Sequence, residues 1–226
     1  MTPIPSAANS ADAQAIAVET RLAGEVRRLL AAGQQARAAE RFGEIVDRQQ
    51  RRAARIAYHY LRDPAEVDEV VQDAFLKAFV HLPSFREDLF FQLWFTRILV
   101  NSCLDRLKAR TRRRRWLAQP PEPPEGIVDE GPPSHEPSPE ARLLAKERRA
   151  RLESAVDRLP TRQRTAVILS HFEGRSAHEV SLIMGLNEST VRVHLFRAVR
   201  KLRDALTRAE WMDHAPAAHH GVRRRA

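Results

Sequence analysis

The chain has 226 residues, 43% of them hydrophobic, which is enough to build one large or two small cores. Only 8 glycines and 6% aromatic residues argue against a β-sandwich or barrel, and the Ala/Leu/Arg/Glu-rich composition favours helices. A formal net charge of +9 points to a polyanionic partner, and the single cysteine, Cys103, excludes an internal disulfide framework and fits a reducing compartment.

No apolar run approaches a membrane span, so no membrane insertion is expected. The N-terminal MTPIPSAANSADAQ has neither a basic n-region nor an apolar h-region, which predicts a cytoplasmic protein. The first ten residues and the stretch after Trp211 are expected to be disordered. Ala13 to Arg37 is compatible with a helix to which no role attaches, and residues 1–37 form an N-terminal extension. A first helical block follows over 38–116. Phe42, Ile45, Ile56, Ala57, Tyr60 and Leu61 recur in it at helical spacing.

Asp63-Pro64-Ala65-Glu66 then supplies an N-cap, a proline in the first turn and a glutamate three residues on, a strong helix start. On the helix that follows, Val67, Val71, Ala74, Phe75, Ala78 and Leu82 share one face, and Glu69, Gln72 and Asp73 occupy the opposite one. Pro83 ends it. Ser84 to Leu93 reads as a loop or short turn, and Trp94 to about Arg110 as another helix with Trp94, Ile98 and Leu104 on or near its buried side. From Arg106 to Arg115, seven of ten residues are Lys or Arg.

The segment 117–141 contains no Lys or Arg, six carboxylates and eight of the chain's fourteen prolines. Proline removes helix donors and favours extended backbone, so this is a flexible acidic linker. A second block, 142–207, begins with a helix from Leu143 to Leu159. Thr161 caps the next, which ends at Gly174. Ser176-Ala177-His178-Glu179 is a capping box for a short helix to Met184. Gly185-Leu186-Asn187 makes a tight turn, with small Ser181 where two helices must approach closely, and a longer helix runs from Glu188 to about Leu206. A short helix, a glycine turn and a basic longer helix make a helix-turn-helix. On the longer helix Val191, Leu195, Ala198 and Leu202 face inward. Val193, Phe196, Arg197 and Arg200 then face out, flanked by Arg192 and Arg203. Arginine pairs bidentately with guanine, and apolar groups meet thymine methyls in the major groove. A C-terminal tail, 208–226, completes the chain.

Two stretches of the first block, DPAEVDEVVQDAFLKAFVHLPSF and FFQLWFTRILVNSCLDRLKARTRRRR, resemble region 2 of extracytoplasmic-function sigma factors of the sigma-70 superfamily. LPTRQRTAVILSHFEGRSAHEVSLIMGLNESTVRVHLFRAVRKLR resembles their region 4. The resemblance implies an all-α protein of two small helical domains, region 2 and a helix-turn-helix region 4, joined by the flexible linker. It implies a non-catalytic subunit of RNA polymerase without cofactor or metal, whose partners are the core enzyme (β′ clamp helices and β flap), promoter DNA and, where one exists, an anti-sigma factor. It assigns Glu69, Gln72 and Asp73 to core polymerase. It assigns Phe85, Arg86, Leu89, Phe90, Trp94, Arg97, Asn101, Arg106 and Lys108 to the −10 DNA, captured as a melted single strand with a flipped base. It assigns Arg192, Val193, Phe196, Arg197, Arg200 and Arg203 to the −35 DNA. Leu89 and Phe90, where relatives often carry smaller or more polar residues, and Val193 and His194, where Ser and Arg are common, depart from the family pattern and bear on base preference.

The alternative is a helix-turn-helix regulator that binds DNA without docking on the polymerase, for which no self-association surface or ligand or phosphoacceptor domain is evident. A nuclease would need clustered carboxylates for metal, and Glu69, Asp73 and Asp68 are better explained as a docking face. The tail histidines His214, His219 and His220 have no cysteine partner for zinc, and Cys103 is expected to be packed.

Overall fold

The computed structural model describes residues 7–86, 89–117 and 139–214, and all regular structure among them is helical. Most of the linker and the last part of the tail lie outside these residues. The first helix, α1 (Ala7–Ala31), starts inside the ten residues expected to be disordered. The run Ala7-Ala8-Asn9-Ser10-Ala11 contains no glycine or proline, and alanine carries the best helix propensity. The helix expected over 13–37 is interrupted: Gly33, at φ 73°, turns the chain, and its N–H bonds the Leu30 carbonyl.

Helix α2 (Gln35–Leu61) buries Ala38, Phe42, Ile45, Gln49, Ala53, Ile56, Ala57, Tyr60 and Leu61, a continuous stripe at helical spacing. It stops at Arg62, whose φ of 60° places a non-glycine residue in the left-handed region while its N–H bonds the Tyr58 carbonyl. Helix α3 (Pro64–His81) starts where the sequence predicts. The Asp63 carboxylate accepts the N–H groups of Ala65 at 2.9 Å and Glu66 at 3.2 Å, donors that the first turn leaves without intrahelical partners. Asp63→Ala is expected to cost about 1 kcal/mol of stability, read from the urea midpoint, without changing the slope of the transition.

A 3₁₀ turn (Leu82–Ser84) leads into the loop, and α4 (Phe91–Leu117) begins three residues before the expected Trp94 and continues past Arg110. Its buried side is also rotated from the expectation. Phe91, Phe95, Leu99, Val100 and Cys103 are buried, whereas Trp94, Ile98 and Leu104 are half-buried. Between the helices, Phe75 stacks on Phe95 at 4.5 Å and Phe42 meets Phe79 edge-on at 5.2 Å, arrangements that aromatic quadrupoles favour. Leu22, Ala23 and Val26 of α1 are buried as well.

In the second block, α5 (Pro139–Asp157) precedes α6 (Thr161–Val167). The helix expected to run unbroken from Thr161 to Gly174 instead passes at Ile168–Phe172 into a π-helical turn, closed by Gly174 at φ 65°. Helix α7 (Ala177–Met184) carries the predicted capping box: Ser176 Oγ accepts from the Glu179 N–H and the Glu179 carboxylate accepts from the Ser176 N–H. Gly185, at φ 64°, ends it with its N–H on the Ser181 carbonyl, and α8 (Glu188–His214) runs past Trp211 into the stretch expected to be disordered.

The described residues form two compact units. One takes those of Met1–Ile127 and of Ile168–Val191, and the other those of Val128–Val167 and Arg192–Ala226. Within the first, Glu173 draws the later segment in by charge: its side chain is fully buried and accepts from Arg52 Nε at 3.2 Å and Arg55 Nε at 3.0 Å. In the second, Leu159, Val167 and Ala198 form a buried cluster against which Leu195 and Leu202 pack.

Candidate polymerase and nucleic-acid interfaces

Three faces gather the residues singled out from the sequence. The first is on α3. At about 100° per residue, Glu69, Gln72, Asp73, Leu76 and Val80 fall within one narrow arc opposite the buried Val67, Val70, Val71, Ala74, Phe75 and Ala78. All five are exposed. Leu76 and Val80, missing from the sequence reading, are 65% and 69% exposed, so this face is acidic at one end and apolar at the other. Their spacing of four and eight residues from Gln72 was the available signal, an apolar pair off the core stripe. A side chain of that kind gains nothing from water and fits a face that meets another protein.

The second face comprises the loop and the outer side of α4. The loop has a firm base. Phe85 and Phe91 are both fully buried and meet edge-on at 5.8 Å, and Trp94 lies 5.2 Å from Phe85 and 5.7 Å from Phe91. Phe85, counted among the DNA-facing residues from sequence, therefore lies beneath the loop and supports it. Its tip is presented outward: Leu89 is 38% and Phe90 54% exposed, and Arg86 is exposed too. Along α4, Trp94, Arg97, Asn101 and Lys108 lie within about 60° of one another, and Arg97, Asn101 and Lys108 are exposed.

Arg106 does not join that row. It projects about 120° to 180° away from the members of that row and pairs with Glu69 of α3, while Arg110 reaches Glu66 at 3.7 Å. A residue assigned from sequence to DNA and another assigned to the polymerase thus neutralise each other in the free chain. Lys108 pairs with Asp105 at 3.0 Å, and Arg112, Arg113 and Arg115 beyond it are exposed. Exposed pairs of this kind are weak, typically below about 1 kcal/mol, so a polyanion can displace them.

The third face is the outer side of α8. Val191 and Ala198 are fully buried and Leu195 and Leu202 partly so, which fixes the helix as the sequence predicts. Arg192, Val193, Phe196, Arg197, Arg200 and Arg203 are all exposed, Phe196 at 69%. Arg203 lies 3.8 Å from the Asp204 carboxylate. Burial and then the positive charges of Arg162 and Arg197 hold the His194 imidazole below its ordinary range, so it is neutral at pH 7 and leaves the face's charge to the arginines.

The described helices bury one face and expose an acidic-apolar strip on α3, a braced aromatic loop before α4 and a basic-apolar face on α8. Comparison with known proteins defines the class. The family pattern for Sigma-70 region 2 matches residues 45–113, and that for Sigma-70, region 4 matches residues 149–202. The RNA polymerase sigma-H factor of Pseudomonas aeruginosa is 32% identical over 165 residues, covering 73% of this chain and 86% of the relative. The ECF RNA polymerase sigma-E factor of Escherichia coli K12 is 33% identical over 166 residues, 70% of this chain and 82% of the relative. A solved structure of CnrH in complex with the cytosolic domain of CnrY is 26% identical, covers 85% of this chain and 98% of that one, and superposes with a TM-score of 0.57. The sigma factor RpoE of Bartonella quintana, solved with the anti-sigma factor NepR, shares the fold at 19% identity and a TM-score of 0.57, covering 74% of this chain and 96% of that one.

The chain belongs to the ECF group of the sigma-70 family of RNA polymerase sigma factors, with a region 2 and a region 4. It serves core RNA polymerase in promoter-specific initiation. Among the described residues no helix is long and apolar enough to cross a membrane.

Proposed function

We propose that each exposed face carries one step of initiation. Residues 38–116 form the domain that attaches to the polymerase and holds the melted −10 strand, and 142–207 the domain that reads the −35 element. The α3 face docks on the β′ clamp helices through Glu69, Gln72 and Asp73, with Leu76 and Val80 supplying buried apolar contact. The loop tip, Arg86, Leu89 and Phe90, forms the pocket for a base taken out of the stack, and Trp94, Arg97 and Asn101 line the single strand by stacking and hydrogen bonding. Lys108 and the exposed arginines after it attract phosphates by releasing counterions. Arg106 serves the α3–α4 pairing first. Outer α8 enters the −35 major groove, and the second domain rests on the β flap.

The observation that carries this reading is the coexistence, on adjacent helices, of a protein-type face on α3 and a braced aromatic loop with a basic row on α4. A helix-turn-helix regulator acting alone needs neither. The free energy of melting comes from captured bases and core binding, so the protein acts as a non-catalytic subunit on cytoplasmic polymerase. The acidic 117–141 linker threads toward the basic RNA exit channel. An anti-sigma factor is a further partner, by similarity to the sigma factor RpoE of Bartonella quintana, which was solved with the anti-sigma factor NepR. It would act by covering these same faces.

The loop provides the test. Base pockets specify, whereas phosphate contacts mainly position. Replacing Leu89 and Phe90 together with serine is expected to reorder promoters that differ at a single −10 base, in run-off transcription with core enzyme. An equal loss at every promoter, with the order intact, would assign the loop a structural role only.

A further inference from the structure

Helix α1 precedes the region 2 match, yet two of its side chains hold the loop at its two ends. Arg27 Nη1 donates to the Phe85 carbonyl at 2.9 Å, where the chain leaves the 3₁₀ turn. Thr20 Oγ1 accepts the Phe91 N–H at 3.1 Å, where α4 begins. That N–H belongs to the first turn of a helix, which offers it no intrahelical acceptor, so Thr20 caps α4 from a different element. The threonine hydroxyl is committed in both senses, since its proton goes to the Ile16 carbonyl at 3.0 Å. Seven residues, or two turns, separate Thr20 from Arg27, which puts both on one face of α1. Ala23 and Gly24 lie between them, both buried and small enough for a close approach.

These contacts fix the chain at Phe85 and at Phe91, and the residues in between reach the surface at Leu89 and Phe90. The span between two pinned ends determines where the tip of a short loop can go. We propose that α1 is a positioning element for promoter recognition, in which Thr20 and Arg27 set the geometry of the −10-reading tip without touching DNA. The inference rests on the reading of the loop given above. Its rival is that α1 serves only to cover the core, as its buried Leu22, Ala23 and Val26 do.

The experiment uses the full chain with core polymerase and a set of promoters that differ at one −10 base. Thr20→Val keeps the shape and deletes the acceptor, and Arg27→Met keeps the stem and deletes the donor. Thr20→Ser and Arg27→Lys restore a hydrogen-bonding group. Thermal midpoint and affinity for core polymerase are measured alongside, and Leu89→Ser with Phe90→Ser serves as the loop control. Each deletion is expected to narrow the preference between the best and second-best −10 base by about fivefold, the worth of one hydrogen bond. Core affinity is expected to be unchanged, and each conservative variant to recover the preference. A preference unmoved by Thr20→Val and Arg27→Met, while the loop control reorders the promoters, overturns the role of α1 and leaves the loop reading standing. So does a uniform loss of initiation that follows the thermal midpoint. If the loop control itself leaves the order intact, the loop reading fails and the inference falls with it.

Discussion

Gln72→Ala combined with Asp73→Arg is expected to abolish transcription by removing core polymerase binding. Both side chains are exposed on α3, so the folded state should be nearly indifferent to the change, within about 0.5 kcal/mol. At the interface the effect is of another size. Truncating a central contact and reversing a charge in a desolvated patch costs on the order of 2–4 kcal/mol, roughly thirty- to a thousandfold in Kd. Leu76 and Val80 lie in the same arc, exposed by 65% and 69%, and in the proposed complex they would exclude water around those polar groups. Binding of −35 DNA should be unaffected, because the surface proposed to read it is on α8. Size-exclusion co-elution with core polymerase, in the absence of DNA, measures the first effect separately from the second. Undiminished affinity in the double variant would remove α3 from the docking surface.

Arg197→Ala and Arg203→Ala are expected to differ in kind although each deletes one exposed positive charge of α8. Arg197 is beside Phe196 and Val193, on the outward surface fixed by the burial of Val191 and Ala198. Its loss should cost about 1–3 kcal/mol and relax discrimination at one −35 position, a guanine by the bidentate pairing that arginine favours. Arg203 lies a turn and a half further on, next to the Asp204 carboxylate at 3.8 Å. Its loss should weaken all sequences alike and reduce the salt slope by about one. Binding to a panel of −35 substitutions at two salt concentrations distinguishes the two patterns. An equal loss over all sequences for Arg197→Ala would mean that this helix does not read bases through that residue.

Much of this architecture could be read from local chemistry. Asp63-Pro64 and Ser176 through Glu179 carry their helix starts in the side chains that accept the orphan N–H groups, so the caps were legible one residue at a time. The two faces of α3 and of α8 were legible because apolar and charged residues alternate there with a clear helical period. Helix α4 opens instead with FQLWFTRILV, apolar almost all round, and such a run does not say which side will be buried. Phe95 stacks on Phe75 of α3, and it and Leu99 are buried where Trp94 and Ile98 are only half-buried. The π turn at Ile168–Phe172 has no compositional mark. The pairing of Arg106 with Glu69, and the grip of α1 on the loop, join residues 37, 58 and 71 positions apart, beyond what spacing along one helix can reveal.

The most direct measurement of the central account is run-off transcription from genomic promoter fragments, with core RNA polymerase in the presence and absence of the full chain. Specific start sites should appear only when the chain is added, and should vanish with Gln72→Ala combined with Asp73→Arg although −35 DNA binding persists. Binding to promoter DNA without any gain in specific initiation, or initiation undisturbed by the double variant, would contradict it.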